Sequence, residues 1–359
     1  LKESGHSVSE IVQKGVEIAK RAVAMEGRGC VALDMGPTGK LLRPMGDLGF
    51  DEAYAAFAEM VQAGVKAGAE LIVIETMSDT YELKAAVLAA KEDTKLPVFA
   101  TMIFDDKGKL LTGGDIAAAV ALLEGLGVDA LGFNCGLGPD QMKGLLPELM
   151  ACASLPVIVN PNAGLPRSEN GRTVFDVSPE AFAADMEAMA AGGAWLLGGC
   201  CGTTPAHLAA MIGRCRGITP PPVSRKGRTV VSSYAKAVTI GGAPVIVGER
   251  INPTGKARFK QALRENDMEY ILREGIAQQE SGAHVLDVNV GLPEIDETER
   301  MTGVVRALQG VTDLPLQIDT SDGRAMEAAM RLYNGKPLIN SVNGKQESMD
   351  MVFPLVKKY

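Results

Sequence analysis

Basic residues are in the minority: Lys and Arg total 36 against 44 Asp and Glu, and the net charge is −8 with no basic stripe. That balance argues against nucleic acid or an anionic membrane surface as a partner. No apolar run approaches the length of a membrane span, because charges and glycines interrupt every candidate. Six cysteines in 359 residues are too sparse for a disulfide scaffold. They point to a reducing, cytoplasmic setting, where grouped thiols bind metal more often than they form bridges. The three histidines, His6, His207 and His284, are scattered without ligand spacing. No signal or transit peptide is recognisable at the start.

What the chain does have is a repeated alternation of helical and extended patterns. Apolar periodicity predicts helices over 9–26, 51–67, 80–93, 114–126, 139–153 and 178–191, and another from Pro205. Between them, short apolar runs predict strands over 30–34, 71–75, 98–103, 130–135, 157–160 and 194–199. Such alternation implies an α/β fold with a parallel sheet. A run such as Leu71-Ile72-Val73-Ile74 suits a strand buried on both faces.

A doubly wound sheet and a closed eight-stranded barrel compete for this pattern. No Gly-x-Gly-x-x-Gly follows the first strand, which weakens the dinucleotide-binding version. Each strand instead ends in polar or small residues: Asp34, Glu75, Asn134-Cys135, Asn160-Pro161-Asn162 and Cys200-Cys201. Such residues gathered at strand C-termini are what the catalytic rim of a TIM (β/α)8 barrel requires. Six strands are two short of a barrel, and the chain opens on Leu1, so it reads as a fragment lacking two upstream βα units.

The texture changes at Ile218-Thr219-Pro220-Pro221-Pro222, which runs into a basic stretch without apolar period and reads as a linker over 217–237. A second alternating series follows, with strands near 245–248, 284–289, 316–319 and 338–341 and helices near 267–281, 298–309 and 323–333. The expected organisation is two barrels in tandem, over 1–216 and 238–359, the second cut after about four βα units.

Cys135 lies two strands before Cys200-Cys201 on the same rim. By position alone the three read equally as metal ligands, or as small core residues or a redox pair. As ligands, three thiolates suit Zn²⁺ and leave its fourth position open, the pattern of a catalytic site. Three thiolates also make the metal a poor Lewis acid, better at holding an incoming thiol as thiolate than at hydrolysis. Cys30, Cys152 and Cys215 read as ordinary core or surface residues.

Gly132-Phe133-Asn134-Cys135, Asn160-Pro161-Asn162-Ala163-Gly164 and Gly198-Gly199-Cys200-Cys201-Gly202-Thr203-Thr204-Pro205-Ala206-His207 resemble the signatures of the homocysteine S-methyltransferase family. The resemblance covers about residues 8–215. It implies that Cys135, Cys200 and Cys201 hold zinc, with homocysteine sulfur as fourth ligand. It also implies that Glu75 pairs with the substrate amino group, and that Asn162 contacts zinc or substrate when the fourth position is empty. The family's Asp-Gly-rich turn after its first strand is absent, consistent with a fragment.

The strand ends of the second series carry Glu249 and Asn252, Asp287 and Asn289, Asp319, and Asn340. Carboxylates and carboxamides match the adjacent N–H and C=O groups on the edge of a pterin. Taken singly, each reads equally well as a turn former. Gly248-Glu249-Arg250-Ile251-Asn252-Pro253-Thr254-Gly255, Leu286-Asp287-Val288-Asn289-Val290-Gly291 and Ile339-Asn340-Ser341 resemble the methyltransferase branch of the pterin-binding family. By that resemblance Asp287, Asn289, Asp319 and Asn340 hold the pterin of 5-methyltetrahydrofolate and Asn252 lies near its reacting N5.

The tandem is similar to the front half of the cobalamin-dependent methionine synthase family. That implies methyl transfer from 5-methyltetrahydrofolate through methylcobalamin to homocysteine. The cobalamin-binding and reactivation modules would lie downstream or on another chain. The alternatives are a cobalamin-independent homocysteine methyltransferase using betaine or S-methylmethionine, and a non-catalytic subunit of a corrinoid methyl-transfer complex.

Overall fold

The computed structural model describes residues 4–359, which fall into two compact units. One holds the described residues up to Thr112 together with Val128–Lys226, and the other holds Gly113–Gly127 and Gly227–Tyr359.

In chain order the first stretch runs α1 (Val8–Glu26), β1 (Ala32–Met35), α2 (Phe50–Ala67), β2 (Leu71–Met77), α3 (Thr80–Asp93), β3 (Val98–Met102) and α4 (Ile116–Gly125). It continues through β4 (Ala130–Asn134), α5 (Pro139–Cys152), β5 (Val157–Asn160), β6 (Arg167–Glu169), β7 (Arg172–Val174), α6 (Pro179–Ala191), β8 (Ala194–Leu197) and α7 (Pro205–Cys215). Six strands form one sheet in the order β1-β2-β3-β4-β5-β8, with every neighbouring pair parallel. The alternation read from periodicity is thus the architecture of this unit.

Local signals explain where the helices start and stop. Ser7 and Glu10 cap each other's backbone N–H groups at the start of α1, and Gly27 ends it in the left-handed region at φ 66°. Asp79 caps α3 by accepting from the Tyr81 and Glu82 N–H groups. Strand β2 departs from the expectation of burial on both faces. Ile72, Ile74 and Met77 are buried, but Leu71, Val73 and Glu75 on the alternate face are only partly covered. That incomplete cover leaves Glu75 accessible, whereas β4 is buried along its whole length.

The antiparallel hairpin β6–β7 was not among the expected strands. Its two-residue turn is Asn170-Gly171, both left-handed at φ 50° and 74°. That dipeptide is a strong hairpin signal, obscured here by short, exposed, charged strands.

The chain continues through β9 (Thr229–Ser232), β10 (Ala237–Ile240), β11 (Val247–Ile251), α8 (Ala257–Glu265), α9 (Met268–Glu280), β12 (Val285–Val288) and α10 (Glu297–Leu308). It ends with β13 (Leu316–Asp319), α11 (Gly323–Leu332), β14 (Leu338–Asn340) and α12 (Gln346–Lys358). Strands β11-β12-β13-β14 form the parallel sheet of the second unit. Its core joins Phe259, Ile271, Leu286, Met301, Leu308 and Ile318, among others. Each such burial contributes about 1.5–3 kcal/mol.

The stretch expected as a linker over 217–237 is irregular only in its first part. Residues Thr229–Ser232 pair with Ala237–Ile240, and the longer stretch of the second unit begins at Gly227. Val231 is buried, which gives this segment an apolar anchor. The buried Tyr333 hydroxyl donates to Ser232 O at 2.8 Å and accepts the Leu316 N–H at 3.0 Å. Ser232 N–H in turn donates to Lys336 O, just before β14. These bonds place the hairpin at the N-terminal ends of β13 and β14, away from the strand ends that carry the polar residues. Helix α4 joins this unit too, packing on β9 and β10 with Asp115 N–H donating to Ala235 O.

Candidate functional site

A parallel sheet aims the C-terminal ends of its strands at one rim, and three cysteines meet on that of the first unit. Cys135 follows β4 directly, in the left-handed region at φ 58°. Because β5 lies between β4 and β8, the loop after β8 brings Cys200 and Cys201 back beside it. All three sulfurs lie within 4.8 Å of one another, and Cys135 Sγ and Cys201 Sγ are 3.8 Å apart. Ligands about 2.3 Å from a tetrahedral zinc are about 3.8 Å from each other, so this donor set fits one Zn²⁺.

The loop after β5 splints the cysteine segments. Cys135 N–H donates to Asn160 O at 3.1 Å, Cys200 N–H to Pro161 O at 2.8 Å, and Ala163 N–H to Cys201 O at 2.9 Å. The buried Asn162 carboxamide oxygen accepts the Cys201 N–H at 3.0 Å, so here this side chain holds the cysteine loop. Gly202 turns the chain with φ 78°, and a Cβ there would meet the Phe175 ring at 2.3 Å. His207 takes no part among the thiols. Its Nδ1 accepts the Thr204 N–H, so its Nε2 carries the proton and donates to Val177 O at 2.9 Å.

Burial pushes the Cys200 thiol up to about 12, and the neighbouring Cys135 adds to the rise. Cys201 is raised for the same two reasons. Thiols this close do not ionise together without a cation among them. Glu75, at the end of β2, is raised first by burial and then by the charge of Asp34. The register pairs Asp34 with Val73, so Asp34 and Glu75 project to the same face of β1 and β2.

Asn134, Thr76 and Thr101 were not among the expected site residues. Asn134 is fully buried, and its side-chain nitrogen lies 3.8 Å from Cys200 Sγ. Its oxygen accepts from Thr76 N–H and from Thr101 Oγ1, each at 2.8 Å. An asparagine next to a candidate ligand was the available signal, but the partners lie on β2 and β3 and no sequence spacing announces them.

In the second unit four of the expected residues, Asn252, Asp287, Asn289 and Asp319, form two hydrogen-bonded sets at the strand ends. Asp287 is buried and accepts from Asn252 Nδ2 at 3.5 Å and from Gln317 Nε2. Asn289 Nδ2 donates to Asp319 Oδ2 at 3.0 Å, and Asn340 lies opposite Asp319 in the β13–β14 register. Burial pushes Asp287 up to about 6, and the charges of Asp319 and Glu249 add to the rise, while the bonds from Gln317 and Asn252 oppose it. Gln317 is the member that sequence reasoning missed; it stands opposite Asp287 across the β12–β13 register.

Comparison with known proteins gives both units relatives. The model of the homocysteine S-methyltransferase family matches residues 1–215, and that of the pterin binding enzymes matches residues 248–359. The methionine synthase of Mycobacterium tuberculosis (strain ATCC 25618 / H37Rv) is 32% identical over 348 residues, covering 94% of this chain and 29% of that protein. The methionine synthase of Mycobacterium leprae (strain TN) is 32% identical over 353 residues, with the same shares covered. This chain therefore spans 29% of the length of either relative. Among solved structures, the homocysteine methyltransferase MmuM from Escherichia coli in its apo form is similar with 28% identity and a TM-score of 0.49, over 58% of this chain and 75% of that one. The family match over residues 1–215 extends across more than half of the sequence, and the chain belongs to the homocysteine S-methyltransferase family.

Proposed function

We propose that this chain supplies the homocysteine and 5-methyltetrahydrofolate sites of a cobalamin-dependent methionine synthase. The observation that carries the reading is the convergence of Cys135, Cys200 and Cys201 within 4.8 Å on the rim of the first sheet. Cys135, Cys200 and Cys201 would hold Zn²⁺, whose chemistry is to keep the homocysteine sulfur deprotonated and nucleophilic at neutral pH. Glu75 would receive the substrate ammonium group, and Asn162 would keep Cys201 in register.

In the second unit, Asp287, Asn289, Asp319 and Asn340 would bind the pterin edge, with Asn252 near N5. The methyl group leaves N5 of 5-methyltetrahydrofolate and ends on homocysteine sulfur. A cobalamin group held outside these residues would supply the methyl-carrying chemistry between the two sites. The sulfur loses its proton and N5 gains one, giving methionine and tetrahydrofolate. In this reading each parallel sheet is an arc of a (β/α)8 barrel, the first about 1–216 and the second about 238–359, in a cytoplasmic enzyme. No helix among the described residues is long and apolar enough to cross a membrane.

The test is methionine formation from homocysteine and 5-methyltetrahydrofolate by the full-length protein supplied with cobalamin, alongside its zinc content. Cys200→Ser is expected to lose the zinc and abolish turnover. Retained turnover in that variant sinks the zinc reading. Full turnover with betaine or S-methylmethionine in place of the folate sinks the assignment of the second unit.

A further inference from the structure

Asn134 makes four side-chain hydrogen bonds in a site where sequence reasoning named Cys135, Cys200, Cys201, Glu75 and Asn162. Thr76 N–H is a fixed donor 2.8 Å from one end of the carboxamide, so that end is the oxygen and the other end is the NH₂ group. The NH₂ group has two hydrogens and two acceptors, Thr76 Oγ1 at 2.7 Å and Cys200 Sγ at 3.8 Å. The oxygen also accepts from Thr101 Oγ1 at 2.8 Å, and the amide cannot turn over without setting its NH₂ group against the Thr76 N–H. Thr76 itself stands in the left-handed region at φ 65°, an unfavourable place for a β-branched residue. It follows Glu75 directly, so the amide that reaches the sulfur also holds the turn presenting the Glu75 carboxylate.

We infer that Asn134 is a positioning residue that links the thiol cluster to the Glu75 turn and draws charge off the Cys200 sulfur. The inference rests on the reading of the three cysteines as metal ligands. Three thiolates on a divalent cation already carry a net negative charge, and an incoming homocysteine thiolate adds another. An N–H donor on one resident sulfur offsets part of that charge and lets the fourth thiolate bind. The Thr76 bonds fix where Glu75 stands relative to that sulfur, and so the length of amino acid that spans the two.

The experiment uses the full-length protein loaded with Co²⁺, read by its sulfur-to-metal charge-transfer band and by direct titration with homocysteine and with cysteine. Asn134→Leu removes the donor. Asn134→Asp keeps the acceptor for Thr76 and Thr101 and so retains the fold should the leucine variant lose it. Both are expected to move the band to longer wavelength, weaken homocysteine about tenfold or more, and narrow its preference over cysteine. Thr101→Val removes a bond to the same amide without touching the sulfur, and is expected to leave the band and the preference in place. An unmoved band in the Asn134 variants, or an equal shift in Thr101→Val, overturns the inference and leaves the metal reading standing. A wild-type protein that takes up no metal overturns both.

Discussion

Cys135 Sγ and Cys201 Sγ stand 3.8 Å apart although 66 residues separate them in the chain. The parallel order β4-β5-β8 closes that separation, and the Asn160-Pro161-Asn162 loop holds it by bonding to all three cysteine backbones. The relationship between the sulfurs therefore rests on hydrogen bonds to the cysteine backbones.

Metal uptake should depend on pH in a defined direction. Burial raises Cys200 and Cys201, so metal ligation must displace protons from these thiols. Zinc affinity, measured by chelator competition, is expected to rise by about tenfold or more per pH unit between about pH 6 and 8. A flat profile would rule out thiolate ligation.

Folate binding should fail on the acid side. Burial pushes Asp287 up to about 6 against 3.8 for the ordinary group, and in the proposed site its carboxylate would be the form that accepts pterin N–H groups. Affinity for 5-methyltetrahydrofolate is expected to fall about tenfold per unit below about pH 6. Gln317→Met removes a bond that favours the carboxylate, so the midpoint should move to higher pH. For stability the sign is reversed: the raised group favours the folded state below 3.8, and that contribution is lost as the pH rises through about 6. An unchanged midpoint in Gln317→Met would remove Asp287 from the binding step.

Gly202→Ala tests the turn that carries Cys201. The φ of 78° disfavours any side chain, and the new methyl would meet Phe175 at 2.3 Å. We expect a loss of about 1–3 kcal/mol in stability together with weaker zinc binding. A variant as stable as wild type with unchanged zinc affinity would show that the loop is not held as described.

Tyr333→Phe probes the second unit alone. Its hydroxyl joins Ser232 O to Leu316 N–H in a buried position, and losing it leaves both backbone groups without that partner. Denaturant unfolding should show a cost of about 1–3 kcal/mol, with zinc affinity untouched. Equal stability would mean the hairpin is not anchored there.

Much of this was legible in the sequence. Thr80–Asp93 is a helix over the very residues its period indicated, because an Asp cap and a run rich in Ala and Leu act locally. The Asn170-Gly171 hairpin was legible too, but short charged strands concealed it. The hairpin at Thr229–Ser232 was not, since its stability comes from Tyr333, 101 residues further on. Likewise, strand-end chemistry drew attention to Cys135, Cys200, Cys201 and Asp287, while Asn134 and Gln317 gained their significance from partners on other strands.

The sequence by itself determined the alternation of strands and helices and the chemical character of each strand end, because periodicity, caps and turn residues act over a few positions. Only the tertiary structure decided which ends meet: that three sulfurs fall within 4.8 Å, that Asn162 holds the Cys201 backbone, and that Gln317 and Asn252 both donate to Asp287. Those meetings are set by strand order and register, which no local stretch of sequence encodes.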